Sequence, residues 1–237
     1  MSRASEEQEA FKKAGARAIA SSFTWFLTEY PKLIAQSGKV PLSELISIYK
    51  NTSLKNHIRG SLSAAAQRGS SACIMFYGQY YITTAMNKPT ESAALNAGLA
   101  GFLSGGASSL IHTVFEPMKI RHEGFKFNVY VRALVPMFWR HGLFDATFFA
   151  MNSTLKDYSY ATQFAVSALA ASCVNLSHDL WKTQLIKALP TRVKYISVLR
   201  DLTLREYGKQ MVMKSLDLGM NWWLTGLLYQ KVFVNKA

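Results

Sequence analysis

Six apolar stretches recur along this chain, at residues 14–35, 60–86, 93–115, 134–156, 161–176 and 210–234, and the polar segments between them alternate in kind. The segments after the first, third and fifth stretches are long and basic. Lys39, Lys50, Lys55 and Arg59 follow the first; residues 118–132 follow the third; Lys182, Lys187, Arg192, Lys194, Arg200, Arg205 and Lys209 follow the fifth. The segments after the second and fourth are short and carry only Lys88 and Lys156. A helix crossing a ~30 Å hydrocarbon core needs about 20 residues at ~1.5 Å each, and most of the stretches reach that length. Positive charge that alternates with segment parity collects on one side of a membrane, as the positive-inside rule describes. The competing reading, a soluble all-α protein with basic loops, gives no reason for that alternation.

Composition restricts the choice further. The formal net charge is +13, so the expected partners are anionic: lipid, solute or nucleic acid. Mean hydropathy is only +0.04, low for uniformly apolar spans and suited to helices with one face on a watery interior. Cys73 and Cys173 stand alone, without the spacing of a disulfide framework or a zinc site. The start of the chain, with Glu6, Glu7 and Glu9, lacks the Arg-rich, acid-poor character of a transit peptide and the apolar run of a signal peptide. Residues 93–115 carry Gly98, Gly101, Gly105 and Gly106. Each would cost a soluble helix about 1 kcal/mol, but in a membrane helix they let a neighbour approach closely. The run 45–49 has the pattern of a short helix lying on a membrane surface.

Three apolar runs close in a similar way: Pro31-Lys32-Leu33-Ile34-Ala35-Gln36, Pro117-Met118-Lys119-Ile120-Arg121-His122 and Ser177-His178-Asp179-Leu180-Trp181-Lys182. The third reads as P-x-[DE]-x-x-[KR] with serine in place of proline, its acid and base three residues apart on one helix face. Ile58-Arg59-Gly60, Val131-Arg132-Ala133 and Met213-Lys214-Ser215 follow at the openings of the next long runs. Taken together, these elements resemble the mitochondrial carrier family, in a shortened and degenerate form, over nearly the whole chain. The resemblance implies an all-α membrane protein of six transmembrane helices. They would form three tilted helix pairs with pseudo-three-fold symmetry, as repeats 1–88, 89–158 and 159–237 of one membrane domain. It also implies the mitochondrial inner membrane, with the basic loops toward the matrix and the termini toward the intermembrane space.

The departures bear on function. In that family the signature acids and bases form a ring of ion pairs that closes one side of the cavity. Here the acid positions hold Leu33, Lys119 and Asp179, and the base positions hold Gln36, His122 and Lys182, so a ring of three pairs does not form. Asp179 is left to meet Lys119 or Lys182. Pro31, Pro117 and Ser177 remain as the expected helix kinks or ends. The acidic positions of the second gate, by repeat spacing, fall at Tyr80, Ser153 and Asn235.

By the same resemblance a solute would sit midway along the even helices, at Gln67-Arg68, Arg140-His141 and Trp222-Trp223. Arginine forks there suit carboxylate or phosphate, and intramembrane charges are costly unless they face water or a counter-ion. The bland alternative is that Arg68 and Arg140 pair internally, with Asp145 or Asp217. Two indoles at the third position would fill a cavity or face lipid.

Nothing suggests chemistry on a substrate: there is no phosphate-binding loop, dinucleotide turn, zinc-protease helix or nucleophile elbow. No cofactor is expected beyond an anionic lipid such as cardiolipin, and the basic loops lack the stacked aromatics of a nucleic-acid site. Two functions remain. The preferred one is an accessory or structural subunit of a larger inner-membrane complex, such as a respiratory-chain or ATP synthase assembly. The alternative is a solute carrier exchanging an anionic metabolite (keto acid, phosphate or nucleotide) by alternating access. Loss of both gates favours the first, because alternating access needs two closures of comparable stability. Arg68, Arg140 and the net charge favour the second.

Overall fold

The computed structural model describes residues 3–24, 53–86, 92–121, 127–188, 193–200 and 204–234, with Leu27, Ser47, Lys50 and Asn51 besides. All regular structure among the described residues is helical. In chain order the helices are α1 (Arg3–Thr24), α2 (Leu54–Ala85), α3 (Ala93–Arg121), α4 (Phe127–Thr154), α5 (Tyr160–Ala188), the short α6 (Tyr195–Arg200) and α7 (Leu204–Leu228). Residues Tyr229–Val234 extend α7 as a π-helix. Polar side chains cap two of the starts. Ser92 Oγ accepts from the Leu95 amide at 3.3 Å, and Ser159 Oγ accepts from the Thr162 amide at 3.3 Å.

The helices overrun the apolar stretches that mark them. α3 continues through Pro117 to Arg121, and α5 continues past Ser177 to Ala188. Neither Pro117 nor Ser177 therefore ends its helix, and Lys182 belongs to α5 instead of the basic segment after it. In α5 the charged residues Asp179 and Lys182 sit within the helix because their side chains find partners inside the molecule. Pro31, Gln36, His122 and the surface-helix run 45–49, apart from Ser47, lie outside the described residues, as do the side chains of Pro117 and Lys119.

The six long helices close a ring. Each of α1 to α5 packs on the next, α5 packs on α7, and α7 packs on α1. Glycines let α3 and α4 approach backbone to backbone. A Cβ on Gly101 would fall 2.5 Å from the carbonyl oxygen of Asp145, and one on Gly105 would fall 2.5 Å from that of His141. Gly226 does the same for α7 against α5, at 2.4 Å from the Tyr160 carbonyl oxygen.

The distribution of polarity is inverted relative to a water-soluble bundle. Leu62, Leu103, Val135, Val174, Val212 and Leu216 are exposed on the outside of the ring, whereas Arg17, Arg68, Asp145, Asp179, Lys182 and Asp217 are buried. Soluble proteins almost never bury so many charges while exposing large aliphatic side chains on every long helix. One helix, over Ala93–Glu116, is long and apolar enough to cross a membrane by length and composition. The others carry buried charged residues, Arg17, Arg68, Asp145, Asp179, Lys182, Lys214 and Asp217 among them, which lowers their average hydropathy whatever covers the outer face.

Candidate functional site

One half of the ring interior is filled by aromatic rings. Phe76 of α2, Phe148 and Phe149 of α4, Phe164 of α5 and Trp222 of α7 are all buried and converge there. The Phe148 and Trp222 centroids are 4.3 Å apart, and Phe164 meets Trp222 edge-on at 5.6 Å. Toward the chain ends, Tyr160 and Tyr229 pack edge to face at 4.9 Å, and Lys13 lies 5.4 Å from the Tyr229 ring and 5.6 Å from the Phe76 ring. Aromatic packing of this kind excludes water and adds about 0.5–1.5 kcal/mol per ring pair beyond its buried area.

The other half is polar and cross-linked. Asp179 is the hub: it accepts from Arg140 Nε at 2.6 Å, lies 3.4 Å from Lys182 Nζ on its own helix, and lies 3.7 Å from Lys214 Nζ on α7. Lys182 reaches across to Glu116 of α3 at 3.0 Å. Arg68 of α2 meets Asp217 of α7 at 3.3 Å, a pair between helices that are not neighbours in the ring. Arg17 donates to Asn221 Oδ1 and stacks 3.7 Å from the Trp222 ring centroid, while Asn221 Nδ2 donates to Ser21 and Thr24 of α1. Gln67 Nε2 bonds His112 Nδ1 at 2.9 Å, and the His112 ring stacks on His141 at 3.7 Å. These ties link all six long helices through their inner faces.

Between the two halves lies a cavity of about 60 Å³, lined among others by Arg17, Gln67, Arg68, Arg140, Asp145 and Lys182. Of the residues expected at a solute site, Gln67, Arg68, Arg140, His141 and Trp222 line this cavity. Trp223 does not: it is 46% exposed on the outer surface, so the two indoles point different ways, which the ~100° step between successive helix residues allows. Arg140 takes Asp179, not Asp145, as its ion-pair partner, and Arg68 takes Asp217.

Glu116 and Asn221 escaped the motif-based reading, while Lys214, read as a motif position, turns out to approach Asp179. Glu116 stands one helical turn before Lys119, where the signature calls for an acid, and it supplies the carboxylate that meets Lys182. Its signal was a lone acid inside an apolar run, the kind of residue whose cost in a membrane demands a partner. Among the described residues no group of three or more His, Cys, Asp or Glu side chains could hold a metal ion.

What fold and site define is a closed helical ring with an apolar exterior, a plugged half and a charged half. No protein-family model and no curated protein matches the sequence.

Proposed function

We propose that this chain is a six-span membrane protein of the mitochondrial carrier architecture that has lost ionic gating and serves as an accessory subunit of a larger inner-membrane complex. The observation that carries this reading is the interior itself. Asp179 ties Arg140 and Lys214 together, Lys182 ties Asp179 to Glu116, and Arg68–Asp217 spans the ring. Four buried or nearly buried cations (Arg68, Arg140, Lys182 and Lys214) pair with three carboxylates (Glu116, Asp179 and Asp217), which partly neutralises the cluster. Breaking a buried pair costs about 3–5 kcal/mol because it strands the other charge. A protein that opens this half in each cycle would have to break several at once, and it would also have to part the aromatic half. The inverted polarity supports the membrane setting, with lipid expected on the exposed aliphatic face, and the basic segments suit anionic headgroups such as cardiolipin.

The second reading, a carrier of an anionic metabolite, is favoured by the cavity and its arginines. The test separates them. The purified protein is reconstituted in liposomes and assayed for exchange of keto acids, phosphate and nucleotides, and native gels of detergent-solubilised mitochondria are probed for the chain. Co-migration with a large assembly and no exchange fits the accessory role. Robust exchange by a free species of monomer size overturns it.

A further inference from the structure

The ring closes where no loop joins its helices. Every other pair of neighbouring long helices is consecutive along the chain (α5 and α7 through the short α6), but α1 meets α7 with no polypeptide running directly between them, so side chains alone hold that seam. Among the described residues it is also the most sparsely packed of the six seams. Two polar clusters bridge it. At mid-length Arg17 donates to Asn221, and Asn221 donates to Ser21 and Thr24. Lys13 stands one turn before Arg17. Its ammonium pairs with Glu9 of the same helix at 2.5 Å and lies 5.4 Å from the Tyr229 ring and 5.6 Å from the Phe76 ring. Tyr229 is buried and meets Tyr160 of α5 edge to face at 4.9 Å. It also begins the π-helical turn Tyr229–Val234, a backbone form frequent at functional places in helices.

We propose that Lys13 and Tyr229 form a latch on this seam, and that the ring opens sideways between α1 and α7 when the latch is released. A cation over aromatic faces suits that task. It is held well while water is excluded and weakens as water arrives, so the contact is lost in one step once the rings part. The buried ion pairs of the charged half are far costlier to separate, because each leaves a stranded charge. The seam is therefore the place where the ring yields first. None of the latch residues stands at a position of the second gate, Tyr80, Ser153 or Asn235. Opening at one seam also breaks the three-fold pattern of the repeats. This goes beyond the accessory role, since a seam can open in a subunit of a complex as well as in a carrier.

The experiment reads water entry into the interior. Ser71 of α2 is buried and lines the cavity, so Ser71→Cys, in a protein that also carries Cys73→Ser and Cys173→Ser, supplies a single reporter thiol. Its labelling by a charged methanethiosulfonate is followed in the purified full-length protein in detergent. Lys13→Ala and Tyr229→Leu are each expected to speed labelling at least about tenfold, by raising the population of the open form. Phe149→Leu, in the same aromatic half but on α4 and off the seam, is expected to stay within about twofold of the parent. Latch variants that label at the parent's rate overturn the proposal. So does an equal acceleration by Phe149→Leu, which would mean general loosening. Should the latch variants not fold, hydrogen exchange on the unmodified protein decides. Faster exchange of the facing parts of α1 and α7 than of α3 and α4 supports a seam that opens, and equal protection of all four helices overturns it.

Discussion

The carboxylate of Asp179 on α5 accepts a hydrogen bond from Arg140 Nε on α4 at 2.6 Å, and both side chains are almost wholly withdrawn from solvent. The acid of a signature motif therefore meets a residue from the middle of the neighbouring helix, where a solute contact was expected, while its own motif base, Lys182, lies farther off at 3.4 Å and turns to Glu116. One carboxylate therefore joins a position read from a motif to a position read as a solute contact.

Asp179→Asn tests the hub. It removes the charge that Arg140, Lys182 and Lys214 share and leaves their positive charges crowded in the interior. We expect a loss of stability of about 3–5 kcal/mol, the cost of stranding buried charge, read as a lower midpoint of thermal or denaturant unfolding in detergent. A variant within about 0.5 kcal/mol of the parent would mean that water already screens the cluster.

Arg68 and Asp217 are coupled across the ring. Arg68→Ala leaves Asp217, fully buried, without its ion pair, and Asp217→Ala does the reverse to Arg68. Each single change is expected to cost more than half of the double change. The double-mutant cycle should return an interaction of about 0.5–3 kcal/mol, and additive single effects would contradict the pairing.

Glycine substitutions should differ in sign. Gly101→Ala and Gly105→Ala drive a Cβ into the α4 backbone at 2.5 Å, which forces α3 and α4 apart and should cost about 1–3 kcal/mol or more. Gly15→Ala meets nothing within 4 Å on α1, so it should stabilise by roughly the helix-propensity difference of ~1 kcal/mol. Unfolding of the three variants side by side measures the contrast.

Trp222 and Trp223 should part company in the same way. Trp222→Ala removes an indole packed against Phe148 and Phe164, and should cost about 3–5 kcal/mol. Trp223→Ala, on the outer surface, should cost much less. Equal losses would contradict the inward placement of Trp222 and the outward placement of Trp223.

Much of the helical layout was legible in the sequence, because apolar runs broken by short polar segments are a local pattern. The helix ends were less so. α5 extends past Ser177 since Lys182, read as a loop residue, turns inward to Asp179 and Glu116. At the site, Gln67, Arg68, Arg140 and His141 were reached by repeat spacing, whereas Glu116 was passed over because motif matching looks at fixed positions, and Lys214 was read as a motif position without its partner Asp179. Asp217 and Asp145 were both weighed as partners of arginine, and sequence had no means of choosing between them.

By itself, then, the sequence determined an all-helical chain, the alternating basic segments, the glycine-lined third stretch and the absence of a complete signature at any of the three copies. These depend on residue type and on spacing within one segment. Only the tertiary structure decided which charges meet. Arg68 finds Asp217 and Asp179 finds Arg140 because closing the ring sets helices distant in sequence face to face, and small differences in helix rotation settle whether a side chain turns inward, as Trp222 does, or outward, as Trp223 does.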